Sequence, residues 1–522
     1  MRHLLKIRPT AVWAGLLLVL VSCTPMAPPE AVSGADFPRL AARETVAFGY
    51  GRIVERHLDS LAVEAVALEG MRGLASLDPS IVVARQGDSV SVSLGERTLG
   101  RFKAPEAGDV SGWASLTVDV AVAGRAASRE MRGGGIEKFY EAIFDGALAN
   151  LDIFSRYAGA DEAREIRAKR EGFGGIGVNY ALTGGLLRIT RVMADTPAIA
   201  AGLREDDVIT HIEGQPTAEM TAQTVLDLLR GPVRSRVSLT IQHKDGTAPI
   251  LVSLDRALIV PTTVTAQTAN GIFNAQITSF NQNTANSLSE LIDAALSTPS
   301  RPLRGIVLDM RGNPGGLLRQ AIRVADLFLN DGDIIDTQGR HPDSFQHYEA
   351  TGKDVARGLP LIVLIDGRSA SAAEIVAAAL QDRGRAIVVG TTSYGKGTVQ
   401  TVIRTPNDGE ITLTWSRLLT PSGYALHGLG VRPNICTSGL VGEELTAINR
   451  ALSGEASAAE AVKAWHRVGL YDQKSRDALR SECPAERRRD DIESRIAHRL
   501  IADPVFYAHA LDLASSLAAA GH

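Results

Sequence analysis

A serine at a predicted strand-to-helix junction is the first residue whose position suggests chemistry. Ser371 follows the apolar run Leu361–Ile365 and precedes an alanine-rich segment, with Glu374 three residues further on. The first N–H groups of a helix have no partner inside the helix, so the N–H of Ala372 is a candidate donor to an oxyanion formed at Ser371. The same Ser-x-x-Glu spacing is also a capping box that only starts a helix. Taken alone, these residues favour the cap.

A lysine between two glycines is the second candidate. Lys396 lies in Gly395-Lys396-Gly397, and small neighbours let a backbone pass close to another segment. A lysine acts as a general base when burial or nearby dipoles lower its pKa, and serine–lysine catalysis is a known variant of the triad. Gln400 lies four residues later, and in a strand its amide would face the same side and orient the lysine. The alternative is a surface lysine in a turn. A phosphate-binding loop is excluded, because its leading glycine and trailing helix are missing.

A glycine turn after a buried strand is the third candidate. The segment Gly305–Gly316 runs from an apolar strand into Asn313-Pro314-Gly315-Gly316. Free N–H groups at Gly315 or Gly316 would pair with that of Ala372 to hold a tetrahedral intermediate. The alternative is a tight turn between a strand and a helix.

Strand-like and helix-like runs alternate along residues 259–436, which predicts an α/β core that would position these three segments. The predicted elements, in order, are Ile272–Ile277, Thr284–Leu296, Gly305–Met310, Leu317–Leu329, Leu361–Asp366, Ser371–Gln381 and Ala386–Gly390.

The regions on either side of this core have different patterns. Residues 37–171 predict a mixed N-terminal domain, mostly helical over Ile53–Gly70 and Ile136–Leu151, with strands around Ser89–Leu94. Residues 437–522 are alanine-rich and predict a helical C-terminal region. The 522 residues, of which 45% are hydrophobic and 22% charged, are typical of a soluble multi-domain protein. The net charge of −4 gives no polybasic field that would attract nucleic acid.

Residues 172–258 resemble a PDZ domain in their order of elements. A glycine-rich turn leaves N–H groups free to hold a terminal carboxylate while the peptide adds as a strand to the sheet edge. The candidate carboxylate-binding residues are Gly175, Ile176, Gly177 and Val178. Val225 and Leu229, on a predicted helix over Thr221–Leu229, would line the pocket for the last side chain, unless they serve only as core.

The N-terminus has the pattern of an export signal. Basic residues precede the apolar run Ala11–Val21, and eleven residues are too few to cross a bilayer. Leu20–Cys23 resembles a bacterial lipoprotein signal, which predicts a signal peptide over residues 1–22, lipidation of Cys23 and a proline-containing tether over 23–36. An ordinary cleaved signal is the alternative.

The remaining cysteines, Cys436 and Cys483, predict a disulfide in an exported chain, or else two unrelated buried thiols.

Taken together, these segments resemble the C-terminal processing peptidases, also called tail-specific serine proteases. The match runs over residues 146–435, and 25 residues separate Ser371 from Lys396, as the family pattern requires. The resemblance implies a crotonase/Clp-like α/β protease core with an inserted PDZ domain. By position it assigns the nucleophile to Ser371, the general base to Lys396 and the lysine-orienting glutamine to Gln400. The oxyanion donors fall on Gly316 and Ala372, and a supporting carboxylate falls on Glu374.

The sequence departs from the family pattern near the site. Asp366 and Arg368 stand before the nucleophile in place of asparagine and glycine, and Ala373 replaces a serine. Ile153-Phe154 replaces a proline–histidine pair. None of these changes removes a catalytic group.

The resemblance implies an endopeptidase of the cell envelope that binds protein or peptide substrates by their C-terminal ends and needs no cofactor or metal. It further implies PDZ control of access to the site, with an envelope adaptor protein and an oligomer as candidate partners. The lipoprotein-like signal at Leu20–Cys23 predicts a lipid anchor on the periplasmic face of the outer membrane. Three alternatives stay open: a catalytically silent PDZ scaffold, an acyl-CoA enzyme on a crotonase fold, and a Ser-His-Asp hydrolase with His427 as its base.

Overall fold

The computed structural model describes residues 37–298, 302–440, 463–487 and 491–518, with the side chains of 513–518 left out. The predicted signal peptide, Cys23 and the tether lie outside the described residues. No helix within these described ranges is long and apolar enough to cross a membrane.

The N-terminal region packs helices against a three-stranded antiparallel sheet. The stretch Ile53–Gly70 is mostly helical, as predicted, but it is divided between two helices. The chain leaves the first helix at His57, whose ring Nδ1 accepts a hydrogen bond from the N–H of Asp59 at 3.1 Å. The elements are α1 (Arg39–Arg56), α2 (Val63–Gly73), β1 (Ile81–Gln86), β2 (Ser89–Leu94), β3 (Arg97–Lys103), α3 (Val110–Ala127), α4 (Arg129–Arg132), α5 (Ile136–Leu148), β4 (Arg156–Ala158) and α6 (Ala160–Glu171).

The PDZ-like block is entered and left through two neighbouring strands, β5 (Phe173–Gly175) and β12 (Ala257–Ile259), which pair with each other. Its main sheet has the order β11-β10-β8-β7-β6, so β6 is an edge strand. Its elements are β6 (Val178–Thr183), β7 (Leu186–Val192), α7 (Pro197–Ala200), β8 (Val208–Ile212), β9 (Gln215–Pro216), α8 (Ala222–Leu229), β10 (Arg236–Gln242) and β11 (Ile250–Asp255).

Val225 and Leu229 of α8 are buried in the hydrophobic core of this block. They face the sheet because α8 is amphipathic and these two positions lie four residues apart on its apolar side. Of the two interpretations of the sequence, the burial of Val225 and Leu229 supports core packing.

The central sheet has the order β13-β14-β15-β18-β19-β22, and the pairs from β14 to β22 are parallel. The seven elements predicted from the sequence occur within three residues of their expected bounds, whereas β13 and β22 were not predicted. The elements are β13 (Val264–Ala269), β14 (Ile272–Ile277), α9 (Thr284–Leu296), β15 (Gly305–Asp309), α10 (Leu318–Asp326), β18 (Leu361–Ile365), α11 (Ala372–Asp382), β19 (Ile387–Gly390) and β22 (Ile435–Cys436).

A second, antiparallel sheet has the order β17-β16-β21-β20, with β4 paired to β21. It carries the segment after Lys396 and joins the N-terminal region to the core. Its strands are β16 (Asp333–Gly339), β17 (Gln346–Glu349), β20 (Thr398–Arg404) and β21 (Glu410–Leu419).

The described C-terminal residues are helical and pack on the core. A disulfide joins Cys436 of β22 to Cys483, with 6.0 Å between the two Cα atoms. The helices are α12 (Gln473–Glu482), α13 (Ile492–Ala502) and α14 (Pro504–Ala518), preceded by a short helical segment over residues 463–467.

Candidate active site

Three loops meet at the carboxyl ends of β15, β18 and β19, which are neighbours in the parallel sheet. The carboxyl ends of parallel strands form the usual crevice for a site in an open α/β sheet. The loop after β15 carries Gly316, the loop after β18 carries Ser371, and the loop after β19 carries Lys396. The structure thus brings the three segments singled out in the sequence to one edge of the sheet.

Ser371 adopts a strained backbone conformation at the start of α11. Its φ is 54° and its ψ is −112°, a region that an L-residue enters at a cost of about 1 to 3 kcal/mol. Such strain persists only where surrounding contacts fix the residue, and here Glu374 Oε2 accepts the Ser371 N–H at 2.7 Å. The capping box that the sequence indicated is formed by Ser371 and Glu374. An ordinary helix cap needs no positive φ, however, so the strain favours a role for Ser371 beyond the cap.

The glycine loop after β15 lies directly against Ser371. A side chain at Gly315 would collide with Ser371 Cβ, 2.9 Å from the site of its own Cβ, and the φ of Gly315 is 102°. The N–H of Gly315 is already bonded to Asn313 Oδ1 at 2.8 Å. Within the described residues the N–H groups of Gly316 and Ala372 donate to no acceptor. Of the two glycines that the sequence offers, Gly316 is therefore the one with a free donor.

Asp366 and Arg368, the two departures before the nucleophile, have different surroundings. Asp366 Oδ1 accepts the N–H groups of Gly312 at 2.9 Å, Arg368 at 2.9 Å and Ser369 at 3.1 Å. This carboxylate joins the glycine loop to the nucleophile turn. The side chain of Arg368 is exposed.

Glu374 connects the serine loop to the lysine loop. Its side chain is fully buried, and Oε2 accepts the N–H groups of Ser371 at 2.7 Å and Lys396 at 2.9 Å. Oε1 accepts the Gly395 N–H at 2.6 Å and the Ser393 hydroxyl. Burial raises the pKa of Glu374, while these four donors favour the ionised form. The carboxylate fixes both backbones, so its role is larger than that of a supporting carboxylate near the site.

The two glycines beside Lys396 are required by close backbone contact with residues 425–430. A side chain at Gly397 would fall on the His427 main chain, and one at Gly395 would meet Gly428, Leu429 and Gly430 at 3.2 to 3.3 Å. The Gly428 N–H donates to Gly395 O at 2.8 Å. The lysine loop is thus sandwiched between residues 425–430 and Glu374.

The Lys396 side chain is partly buried and lies over Phe154, with 4.8 Å from Nζ to the ring centroid. Burial and the Arg156 charge lower the pKa of Lys396, opposed by Glu374 and Asp152. Cation–π contact favours the charged amine by about 0.5 to 2 kcal/mol. Phe154, with Ile153, Thr398 and His427, also lines a cavity of about 330 Å³. Sequence reasoning noted Phe154 as a departure but did not identify this contact.

Within the described residues, Lys396 Nζ makes no hydrogen bond to Ser371 or to Gln400. The Gln400 amide donates instead to Thr398 Oγ1 at 2.9 Å and Thr414 Oγ1 at 3.2 Å. The expectation that residues 396 and 400 face one side depended on regular alternation, and β20 is irregular between Val399 and Gln400. The orienting role of Gln400 stays a prediction.

His427 is half-buried, and its Nδ1 has no hydrogen-bond partner among the described residues. Burial and the charges of Arg417 and Arg476 lower its pKa. A triad base is oriented by an acid, and no described carboxylate bonds this ring. The geometry therefore does not favour His427 as a base.

One group of described residues could hold a metal ion: Asp333, His347 and Glu349 on β16 and β17. None of them belongs to the three loops. His347 instead bonds Asp336 and Glu349, which raise its pKa to about 9.

Comparison with known proteins supports the protease core and the PDZ domain. The model of peptidase family S41 matches residues 274–437, and a PDZ domain model matches residues 188–243. The carboxy-terminal-processing protease of Bartonella bacilliformis is 38% identical over 57% of this chain and 69% of that protein. A carboxy-terminal processing protease of Bacillus subtilis is 32% identical over 57% of this chain and 64% of that protein.

Two solved structures also align with parts of the chain. A photosystem II D1 C-terminal processing protease is 24% identical over 70% of this chain and 92% of its own, with a TM-score of 0.36. The PDZ domain of a carboxy-terminal protease from Vibrio cholerae, in complex with peptide, is 27% identical over 17% of this chain and 96% of its own, with a TM-score of 0.16.

The family match and the relatives identify the chain as a serine peptidase with a PDZ domain. The chain belongs to peptidase family S41, among the carboxy-terminal processing proteases. The predicted fold class is confirmed, with an α/β protease core, a PDZ domain, a helical N-terminal region and C-terminal helices.

Proposed function

We propose that this peptidase is an endopeptidase in which Ser371 is the nucleophile and Lys396 the general base. The observation that carries the proposal is the strained Ser371 placed between two unpartnered N–H groups, those of Gly316 and Ala372. A helix cap accounts for neither the strain nor the second N–H group, whereas a developing oxyanion needs both donors.

The reaction follows from these groups. Neutral Lys396 Nζ removes the proton of Ser371 Oγ, and Oγ attacks the peptide carbonyl carbon. The N–H groups of Gly316 and Ala372 hold the resulting oxyanion. The Lys396 ammonium then protonates the leaving amine, and water repeats the sequence on the acyl-enzyme. For the first step Lys396 turns from Phe154 towards Ser371, so the conformation described is a resting one.

The PDZ domain captures the C-terminal end of the substrate. β6 is an edge strand with a free side, and the turn before it holds Gly177 at a φ of 86°. The N–H groups of Ile176 and Gly177 donate to no acceptor among the described residues. An extended peptide can therefore add to β6 with its carboxylate at this turn.

Selectivity for a free C-terminus tests this capture. We expect a peptide substrate ending in a carboxylate to be cleaved with a kcat/KM about 10-fold or more above its C-terminal amide, because each charge-assisted hydrogen bond contributes about 1.5 to 3 kcal/mol. Gly177→Ala should remove the difference, since its side chain would strike Thr196. Steady-state kinetics on both peptides measure the effect.

Gly184→Ala is the matched control, because Gly184 also has a positive φ, 60°, but open space around it. Equal kinetics for acid and amide in the wild type would contradict C-terminal capture. Equal loss in both glycine variants would assign the effect to backbone strain instead.

We also propose that Cys23 is lipidated and holds the enzyme on the periplasmic face of the outer membrane, on the support of the Leu20–Cys23 pattern. Cys23→Ser should move the protein from the membrane to the soluble envelope fraction and abolish incorporation of an alkyne-tagged fatty acid. Unchanged labelling in the variant would refute it. An envelope adaptor and an oligomer remain predictions from the resemblance.

A further inference from the structure

The segment of residues 473–486, here called the clamp segment, contacts the loops that carry both candidate catalytic side chains. It begins with α12 and lies beyond residue 437, where the match to the family model ends. From the sequence, only a helix and the disulfide cysteine Cys483 were predicted here.

Two arginines of the clamp segment bind main-chain carbonyl groups of the lysine side of the site. Arg480 donates to Ser393 O at 3.2 Å and to Leu429 O. Arg476 donates to Ala425 O at 3.2 Å and to His427 O. Trp465, just before the clamp segment, adds a bond to Gly430 O at 3.2 Å. Donors from the C-terminal region therefore hold four carbonyl groups within residues 425–430.

These carbonyl groups belong to the backbone on which the lysine loop rests. Residues 425–430 lie against Gly395 and Gly397, with no room for a side chain at either glycine. Ser393, whose carbonyl binds Arg480, donates its hydroxyl to Glu374, which also accepts the Lys396 N–H. A shift of Arg480 would therefore reach both sides of Lys396.

The end of the clamp segment binds the nucleophile turn. Glu486 O accepts the Gly367 N–H at 2.8 Å and the Thr391 hydroxyl at 3.0 Å. Gly367 follows β18 and precedes Ser371, while Thr391 follows β19 and precedes Lys396. The same short stretch of chain thus holds the starts of both loops.

The disulfide fixes the clamp segment between these two sets of contacts. Cys483 lies three residues after Arg480, and its partner Cys436 pairs with Gly390 at the end of β19. A crosslink at this point limits movement of the clamp segment relative to the strand that leads to Lys396.

The arginines are costly if packing is their only purpose. Arg476 is fully buried, and its Nε and Nη1 have no hydrogen-bond partner among the described residues. Neither Arg476 nor Arg480 forms an ion pair with a carboxylate in the part of the chain that the structure describes. An apolar side chain would fill the space at lower cost. Unlike an apolar side chain, a guanidinium can donate hydrogen bonds in a fixed geometry to main-chain carbonyl groups, which holds that backbone in place.

We propose that Arg480 is a positioning residue for peptide hydrolysis, and that the clamp segment, locked by the Cys436–Cys483 disulfide, sets the placement of Lys396 relative to Ser371. The proposal rests on the assignment of Ser371 and Lys396 made above. It predicts an enzyme whose turnover, more than its substrate binding, depends on the C-terminal region.

The test is Arg480→Ala in the full-length enzyme, with kcat, KM, the pH profile and the fraction of active sites titrated by a fluorophosphonate. We expect kcat per titrated site to fall about 10- to 100-fold with KM nearly unchanged, since a displacement of about 1 Å can cost about 100-fold. The rising limb of the pH profile should move to higher pH, because a loosened loop lets water reach Lys396. Asp152, Arg156 and Glu374 also act on this amine and remain in the variant. Arg480 acts electrostatically on Glu374, so Arg480→Lys, which keeps the positive charge, separates loss of charge from loss of the carbonyl contacts.

Arg480→Lys should recover part of kcat, because an ammonium reaches only one of the two carbonyl groups. Cys436→Ser/Cys483→Ser should lower kcat in the same way. Lys474→Ala, an exposed change on α12, is the control and should match the wild type.

Wild-type kcat and pH profile in Arg480→Ala would overturn the proposal. Fewer titrated sites with normal turnover and pH profile at each would also overturn it, by showing a purely structural role. Ser371→Ala, measured in parallel, separates failure of the Arg480 proposal from failure of the catalytic assignment. Activity in Ser371→Ala would refute the assignment of the nucleophile itself.

Discussion

Replacing Lys396 by alanine should lower kcat by about 100- to 10,000-fold while the protein stays folded, the range expected for loss of a general base. Lys396→Arg should not restore activity, because a guanidinium does not lose its proton in a protein. Ser371→Ala should remove the remaining turnover. Burial lowers the pKa of Lys396, and only the neutral amine can accept the serine proton. The wild-type kcat/KM should therefore rise with pH through that pKa, and this limb should be missing from the residual activity of Lys396→Ala.

Initial rates on an unfolded protein substrate between pH 6 and 10 measure this effect. Lys353→Ala, a change at an exposed lysine, controls for loss of one positive charge and should retain the wild-type profile. A Lys396→Ala enzyme with normal kcat would contradict the role of the lysine. Absence of proteolysis in the wild type under all conditions would instead favour the catalytically silent scaffold.

Glu374→Ala should reduce both stability and turnover. The change leaves the N–H groups of Ser371, Gly395 and Lys396 and the Ser393 hydroxyl without an acceptor. An unsatisfied buried group costs about 1 to 3 kcal/mol, so we expect the free energy of unfolding to fall by about 3 to 5 kcal/mol after partial relaxation. Glu374→Gln keeps the shape but places an amide NH2 against at least one N–H group, whichever of the two oxygen positions it takes. It should therefore lose turnover more than stability.

Urea unfolding and kcat on the same preparations distinguish the two effects. Glu290→Gln on the exposed face of α9 is the matched control. Full turnover in Glu374→Gln would show that this carboxylate does not hold the two loops in the active arrangement.

The core elements were predictable because their patterns are strong and local. The buried strands β14, β15, β18 and β19 are short apolar runs bounded by turns, and they occur where the sequence indicates. The glycines around Lys396 were predicted to permit close backbone approach, and they do so against residues 425–430.

The features of the fold and the site that the sequence did not predict depend on contacts between distant segments. The break between α1 and α2 involves a bond from the Asp59 main chain to the His57 ring, which periodicity does not show. The position of Gln400 depends on an irregularity in β20. The hydrogen bonds accepted by Glu374 and the contacts of Arg480 with main-chain carbonyl groups join residues far apart in the chain. No local spacing in the sequence therefore indicates them. The signal that remained was the cysteine pair, which pointed to contact between the C-terminal region and the core.

Peptide mapping of the fluorophosphonate adduct, as a function of pH, tests the serine–lysine assignment most directly. We expect a single adduct on Ser371, formed at a rate that rises with pH in the wild type. In Lys396→Ala the same adduct should form slowly and without that rise. An adduct on another residue, together with proteolysis that persists in Ser371→Ala, would contradict it.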